Sequence, residues 1–140
     1  MFAKDKDPAR IGLTAHTAIL HKFVSMGCEV LQPLNDDLRY DLAYFWEETG
    51  ELVRIQCKAG RYDPDRGCIF FNNFSRPGGR GKKHGYVGDA EYFGVYCEAL
   101  NKVYLIPIDI ASYAGAVGLR VQPTKNNQQK KVIWARDYEI

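Results

Sequence analysis

The amino-acid sequence predicts one α/β domain in which α-helices flank a central mixed β-sheet. The first observation is the order of local patterns: a helix, several strands, a shorter helical segment and more strands. Such an order favours helices packed on a mixed sheet. The second is the length of 140 residues, which suits one domain with a single hydrophobic core. The third is a hydrophobic content of 46%, which is typical of a globular protein.

The N-terminal region predicts a flexible tail followed by a helix. Residues 1–9 are polar, and we expect them to form the tail. A helix is predicted over residues 10–26, because apolar residues recur there at helical spacing: Ile11, Ala15, Ile19, Phe23 and Met26. Gly27 suits the end of this helix, since glycine readily adopts the left-handed conformation of a C-cap. A short buried strand is predicted at 28–31, before Pro33.

The middle of the chain contains the strongest strand signals. Residues 40–46 and 51–58 are rich in aromatic and β-branched residues, and the turn-forming Glu48-Thr49-Gly50 segment separates them. This pattern predicts a β-hairpin. Further strands are predicted at 68–72, 93–97, 103–108 and 117–121. The remaining segments are a glycine-rich basic loop at 75–85, a helix-like piece at Gly88–Tyr92, a polar turn at 123–129 and an ordered end at 132–138.

Composition excludes several classes of protein. No apolar run approaches the roughly 20 residues that a membrane-spanning helix needs, so no membrane association is expected. The N-terminus is charged and has no signal-peptide core, and none of the four cysteines forms a C-x-x-C pair. We therefore expect a cytoplasmic, intracellular protein with reduced thiols. A net charge of +2 neither requires nor excludes a polyanionic partner.

The predicted hairpin brings three polar residues together. Gln56 and Lys58 are two positions apart on one strand, so they share a face of the sheet. A two-residue Thr49-Gly50 turn would place Asp41 opposite Lys58, and a turn one residue earlier would place Asp41 opposite Gln56. Either register groups Asp41, Gln56 and Lys58, whereas a three-residue turn would need a bulge to keep that grouping.

This cluster has a chemical use and an ordinary alternative. Carboxylate and amide oxygens are ligands that suit Mg²⁺, and a nearby lysine can stabilise charge on an attacking hydroxide or on a phosphate. Such an arrangement fits metal-assisted hydrolysis of phosphodiester bonds. The alternative is a simple ion pair between Asp41 and Lys58 on a solvated sheet face.

Asp41 followed by Gln56-Cys57-Lys58 resembles the PD-(D/E)xK nuclease signature. More narrowly, the sequence resembles the small endonuclease family that includes the cyanobacterial group I intron homing endonuclease. The likeness covers roughly residues 10–110, with weaker similarity at Trp134–Tyr138. It rests on an ordered set of segments: Gly27-Cys28-Glu29-Val30, Pro33, Tyr40-Asp41-Leu42, Arg54-Ile55-Gln56-Cys57-Lys58, Gly60-Arg61, Gly88-Asp89, Tyr92-Phe93 and Leu105-Ile106-Pro107.

The resemblance implies a restriction-endonuclease-like core, with residues 10–140 forming one nuclease domain. It implies that Asp41 binds the metal and that Lys58 is the motif lysine. Gln56 stands where an acid is usual, a replacement that this subfamily shares, and the main-chain carbonyl of Cys57 is a further expected metal ligand. The implied cofactor is Mg²⁺, with Mn²⁺ as a substitute, and the implied assembly is a homodimer or homotetramer.

The first helix departs from the family pattern. Such nucleases usually carry an acid there, facing the metal, but this chain has no Asp or Glu between Asp7 and Glu29. His16 occupies the corresponding slot by its spacing from Gly12 and Gly27. As a candidate catalytic residue, it could orient a water, donate to a phosphate or act as a base near neutral pH. The alternative is a core histidine without a catalytic role.

Basic residues concentrate in two stretches without acids, between Arg66 and Gly88 and between Ile110 and Arg136. Cations on flexible backbone suit contacts with DNA phosphates. The predicted DNA-binding residues are Arg61, Arg76, Arg80, Lys82, Lys83, Lys125, Lys130 and Lys131. The alternative is a pair of solvated loops. The glycine-rich loop lacks the Walker pattern, so no use of ATP is expected.

These observations together predict a Mg²⁺-dependent endonuclease that cleaves double-stranded DNA, with the site specificity of homing enzymes. One alternative is a non-catalytic DNA-binding descendant of the same fold, which the missing helix acid would explain. Another is a nuclease specific for branched DNA structures, similar to a junction resolvase.

Overall fold

The computed structural model describes residues 7–76, 79–112, 115–127 and 129–140. Its single α-helix in these ranges, α1, spans Pro8–Ser25 and begins two residues before the predicted helix. The Asp7 carboxylate accepts a hydrogen bond from the Arg10 amide at 2.8 Å, which caps the helix, and Pro8 suits the first helical turn. The predicted N-terminal tail lies mainly in residues 1–6, outside the described ranges.

Eight strands follow α1. Their bounds are β1 Val30–Leu31, β2 Leu42–Trp46, β3 Glu51–Asp63, β4 Cys68–Asn72, β5 Tyr92–Cys97, β6 Lys102–Pro107, β7 Ala116–Arg120 and β8 Ile133–Trp134. A short 3-10 helix at Ala135–Asp137 comes after β8. All four cysteines are free. No described helix has the length and apolar character needed to cross a membrane.

The 13-residue strand β3 organises the sheet. Its first part pairs antiparallel with β2, its middle pairs parallel with β5, and its last residues pair antiparallel with β4. β1 extends the sheet beyond β2, β6 pairs antiparallel with β5, and β7 and β8 follow β4. The sheet is therefore mixed, as predicted.

Two hydrophobic clusters cover opposite faces of the central strands. On one face, Ile19 and Phe23 of α1 pack in a cluster with Leu42 and Ile55. On the other face, Phe93 and Val95 of β5 belong to a cluster supplied largely by β4, β6 and β7. Successive side chains of β5 point alternately into the two clusters, because the strand is buried on both faces. The predicted α/β class is confirmed, although one helix covers one face and strands cover the other.

The helix-like piece predicted at Gly88–Tyr92 is wrong. Residues 87–89 form a turn, and Tyr92 is already the first residue of β5. Gly88 has a φ of +84°, which a right-handed helix cannot contain. The Glu91 amide donates to the Arg54 carbonyl at 3.0 Å. Pairing with β3 therefore overrides the local helical pattern.

Gly94 allows α1 to lie directly on the sheet. A Cβ atom at this position would be 3.0 Å from the Ile55 side chain and 3.1 Å from the Ile19 side chain. The missing side chain leaves room for Ile19, which is completely buried. The close contact sets the distance between α1, which carries His16, and β3, which carries Gln56, Cys57 and Lys58.

Candidate active site

The hairpin register places Asp41 at the level of Gln56. β2 and β3 pair from Trp46 with Glu51 to Leu42 with Ile55, around the loop at 47–50. Asp41 directly precedes β2, and its amide donates to the Ile55 carbonyl at 2.9 Å. The structure thus adopts the second of the two predicted registers, with a four-residue loop instead of a two-residue turn.

The Asp41 carboxylate is fixed against the edge of β3. Its Oδ2 atom accepts a hydrogen bond from the Cys57 amide at 2.9 Å. In an extended strand, the amide and carbonyl of one residue point toward the same neighbour, so the Cys57 carbonyl also faces the Asp41 side. The second carboxylate oxygen and this carbonyl are hard oxygen donors that suit a divalent cation such as Mg²⁺.

Gln56 and Lys58 face away from α1. Ile55 and Cys57 pack in the cluster beneath α1, and alternate residues of a strand point to opposite faces. The Gln56 amide oxygen is thus the third hard donor at this end of β3. The side chains of Asp41, Gln56 and Lys58 are brought to one strand end, as the hairpin pattern predicted.

Lys58 is held by neutral groups. Its Nζ atom donates to the Phe74 carbonyl and to the Tyr86 hydroxyl, each at 3.3 Å, and lies 4.7 Å from the centre of the Tyr86 ring. The simple Asp41–Lys58 ion pair is not formed within the described residues. Because neither hydrogen-bond acceptor is charged, the ammonium charge is not neutralised and can stabilise a nearby anion.

The Cys57 thiol is not a metal ligand of the usual kind. Burial raises its pKa, and the neighbouring Asp41 carboxylate raises the pKa further. The thiol therefore stays protonated at neutral pH, whereas zinc and other soft metals bind the thiolate. The contribution of Cys57 to a metal site is its backbone carbonyl.

His16 points from α1 into a cleft that Asp41 also lines. The cleft has a volume of about 200 Å³ and is completed by Gln32, Pro33, Asn35, Asp36, Leu38 and Tyr40. The His16 Nε2 atom lies 3.1 Å from Oε1 of Gln32. Gln56 and Lys58 do not line this cleft, so the structure places His16 and Asp41, but not Gln56 and Lys58, in its lining.

Asp36 is a second acid that lines this cleft. In the described residues, no group of three or more His, Cys, Asp and Glu side chains could together hold a metal ion. Asp36, His16 and Asp41 therefore share a cleft without forming such a group. Of these two acids, Asp41 is the one whose carboxylate accepts a hydrogen bond from the β3 backbone, at the Cys57 amide.

The family model of the PD-(D/E)XK endonucleases matches residues 6–140 of the chain. The chain belongs to this family. Among solved structures, it is similar to a bacterial homing endonuclease, I-Ssp6803I, with a TM-score of 0.75 and 25% sequence identity. That match covers 96% of this chain and 89% of the other. No curated protein matches the chain.

Membership of the PD-(D/E)XK endonuclease family makes the chain a nuclease. The observed architecture agrees with this family. The predicted motif residues lie on or directly beside the hairpin of β2 and β3, at the centre of the mixed sheet. The fold and the nuclease class predicted from the sequence are confirmed.

In this PD-(D/E)XK endonuclease, the glycine-rich basic loop begins beside Lys58. Ser75 and His84 exchange two backbone hydrogen bonds of 2.8 Å and close the loop at its base. We call residues 75–84 the basic hairpin; its residues 77 and 78 lie outside the described ranges. Arg76 and Lys83 lie 5.6 Å and 4.3 Å from the centre of the Phe74 ring. The Phe74 carbonyl in turn binds Lys58, so the basic hairpin adjoins the site.

Every predicted DNA-binding residue has an exposed side chain: Arg61, Arg76, Arg80, Lys82, Lys83, Lys125, Lys130 and Lys131. Lys125 also lines a second cleft, with Arg66 and Arg120, of about 510 Å³. Arg120 itself donates to the carbonyls of Gln122 and Pro123, which gives it a structural role. The predicted polar turn at 123–129 includes residue 128, which lies outside the described ranges.

Proposed function

We propose that the chain is a Mg²⁺-dependent DNA endonuclease that hydrolyses phosphodiester bonds at specific sites of double-stranded DNA, as a homing endonuclease does. The observation that carries the proposal is the Asp41 carboxylate, held by the Cys57 amide at the strand end that also carries Gln56 and Lys58. Family members typically use divalent metal ions. Mn²⁺ is the proposed substitute for Mg²⁺, because both ions accept oxygen ligands.

The metal would be held by Asp41, by the Gln56 amide oxygen and by the Cys57 carbonyl. One carboxylate and two neutral oxygens fit Mg²⁺, which binds few protein groups and keeps several waters. When bound, the ion lowers the pKa of a coordinated water and withdraws charge from the scissile phosphate. This chain's own residues supply orientation and a further positive charge.

Lys58 would stabilise the negative charge that develops on the phosphate during attack. Its ammonium is positioned by the Phe74 carbonyl and the Tyr86 hydroxyl before DNA binds. Such preorganised charge is most effective in the transition state. His16, which lines a cleft with Asp41, would orient a water or donate to a phosphate oxygen.

The basic hairpin and the residues Lys125, Lys130 and Lys131 would bind the DNA backbone. Exposed cations contact phosphates without reading sequence, so they set affinity and position. The part of one chain that the structure describes carries one candidate active site, and cleavage of both DNA strands needs a second. We therefore propose a homodimer or homotetramer, in which symmetry supplies it.

A nicking assay tests the proposal. Supercoiled DNA is incubated with Mg²⁺ and either the wild-type protein or the Lys58→Ala variant. We expect nicking by the wild type and a loss of at least about a hundredfold in the variant. Lys22→Ala is the matched control, since Lys22 is a half-buried lysine on α1 away from the site. Nicking that Lys58→Ala leaves unchanged would overturn the assignment.

A second candidate function is DNA binding without cleavage. It is favoured by His16, which by its spacing in the sequence stands at the position of the usual helix acid, so that α1 supplies a histidine and not a carboxylate to the cleft beside Asp41. Calorimetric titration with Mn²⁺ separates the two. Absent metal binding, together with DNA binding that weakens with salt, would favour the non-catalytic candidate.

A further inference from the structure

Arg39, two residues before Asp41, joins the active-site segment to the basic hairpin. Its guanidinium donates hydrogen bonds to four groups that are distant in sequence: Asp89 Oδ2 at 3.2 Å, Ser75 Oγ at 2.5 Å, the His84 carbonyl at 3.4 Å and the Gly85 carbonyl at 2.5 Å. Ser75 and His84 are the two residues whose backbones close the basic hairpin. Arg39 is therefore hydrogen-bonded to the base of the basic hairpin.

Arg39 also contacts the residue that holds Lys58. Its guanidinium lies 4.3 Å from the centre of the Tyr86 ring, and the Lys58 ammonium lies 4.7 Å from the same ring. The ring is only 5% exposed and packs edge to face against Phe93 in the core. Tyr86 therefore has a fixed position, and Arg39 and Lys58 are both located by it.

In its described residues, the basic hairpin is otherwise attached by the Ser75–His84 backbone pair and by Arg76 and Lys83 on the Phe74 ring. The side chains at 79–84 are exposed, and Gly79 and Gly81 have φ values of +72° and +84°. Glycine backbone at positive φ keeps considerable conformational freedom in the unanchored state. The contacts of Arg39 with Ser75, His84 and Gly85 therefore help to determine the positions of the hairpin cations.

The guanidinium of Arg39 is occupied by the protein itself. Four hydrogen bonds use most of its five N–H donors, and the Asp89 carboxylate forms an ion pair with it at 3.2 Å. A side chain in this state offers little to a DNA phosphate. Its geometry fits a structural role within the protein. The planar guanidinium of arginine can donate to several groups at once in this arrangement, whereas the single ammonium of lysine cannot.

We propose that Arg39 is a positioning residue that fixes the basic hairpin and Tyr86 against the Asp41 segment, so that DNA held by the hairpin meets Lys58 correctly. This inference rests on the proposed endonuclease function. It predicts that the fork of hydrogen bonds is required and that a positive charge alone is not sufficient at this position. Lysine should therefore fail to replace it.

The test compares Arg39→Lys and Arg39→Ala with the wild type. Hydrogen exchange of the Ser75 and His84 amides is measured without DNA or metal, and we expect it to rise at least about tenfold in both variants, because the base of the hairpin opens more often. Nicking with Mg²⁺ should fall about tenfold or more in both, since misplaced groups lose rate steeply. Exchange at Ile19 in α1 should stay unchanged, which shows that the fold is intact.

A matched control separates positioning from phosphate binding. Arg80→Ala removes an exposed hairpin cation, and it should weaken DNA binding without changing exchange at Ser75 and His84. Unchanged exchange in Arg39→Lys, or nicking by Arg39→Lys at the wild-type rate, would overturn the inference. If the wild type does not nick DNA, the endonuclease proposal fails while raised exchange in both variants would still show that Arg39 anchors the hairpin.

Discussion

The strand end that carries Asp41, Gln56 and Lys58 and the basic hairpin differ in how they are held. The first is part of a sheet that is buried on both faces, and its carboxylate is bonded to the β3 backbone. The second is an exposed loop that a few side chains attach at its base. The proposed chemistry is thus built into the sheet, whereas the proposed DNA contacts are added to it. Substitutions should abolish function in the first region and reduce it gradually in the second.

The largest effect is expected at Asp41. Asp41→Asn keeps an oxygen that can accept from the Cys57 amide but removes the one charge proposed to bind the metal. We expect DNA cleavage to fall by about a thousandfold or more, close to 4 kcal/mol of transition-state stabilisation. DNA affinity measured in EDTA should not weaken. A variant that still cleaves at a tenth of the wild-type rate would contradict the division between the two regions.

The sheet beneath the site should show the next largest effect, on stability. Ile55 is 1% exposed and packs beneath α1, so Ile55→Ala should lower the free energy of unfolding by about 3 kcal/mol. Leu52→Ala, on the same strand but 44% exposed, is the control and should cost less than about 1 kcal/mol. Urea unfolding measures both. Equal losses of unfolding free energy in the two variants would mean that packing of β3 in the core does not stabilise the strand end.

The hairpin cations should give a smaller, salt-dependent effect. Replacing Arg80 and Lys82 together by glutamine removes two exposed charges. The slope of log affinity against log salt should become shallower by roughly 0.9 for each phosphate that the variant no longer neutralises. Cleavage at saturating DNA should change little, because the strand end is intact. An unchanged slope would show that Arg80 and Lys82 do not contact the DNA phosphates.

The smallest effect is expected from the ion pair between Arg54 and Glu91, which joins β3 to the turn before β5. Its hydrogen bonds with Arg54 lower the pKa of Glu91 below its ordinary value. Stability from this group is present above the unfolded pKa and is lost as pH falls through the lower folded pKa. The pair is exposed to solvent, so it contributes at most about 1 kcal/mol. Urea unfolding of Glu91→Gln at pH 7 and pH 3 should show a slightly smaller loss on acidification than the wild type.

Local patterns sufficed to predict much of the strand end. Helical spacing located α1 to within two residues, and aromatic and β-branched residues located β2 and the start of β3. The grouping of Asp41, Gln56 and Lys58 followed from strand alternation together with the register of the predicted hairpin. The roles of these residues stay predictions, since their placement in the sheet does not test chemistry.

Contacts between distant segments could not be predicted in this way. The local pattern predicted that β3 ends at Lys58, but the strand continues to Asp63 because Gly60 lets Ile69 and Val95 approach: a Cβ atom there would lie 2.6 Å and 2.8 Å from them. The partners of Lys58, Phe74 and Tyr86, flank the glycine-rich basic loop, and no local pattern connects them with Lys58. Arg39 was missed for the same reason, although its place beside Asp41 was a signal.

The parallel pairing of β3 with β5 has a consequence for synthesis on the ribosome. Gly60 pairs with Cys97, so this edge of β3 cannot be completed until the chain as far as Cys97 has emerged. Closing so long a loop is slow compared with forming the hairpin of β2 and β3. We therefore expect Asp41 and Gln56 to meet early, while Lys58 reaches its final position late. A nascent chain would then pass through a stage in which the proposed metal ligands have met but Lys58 is not yet in place.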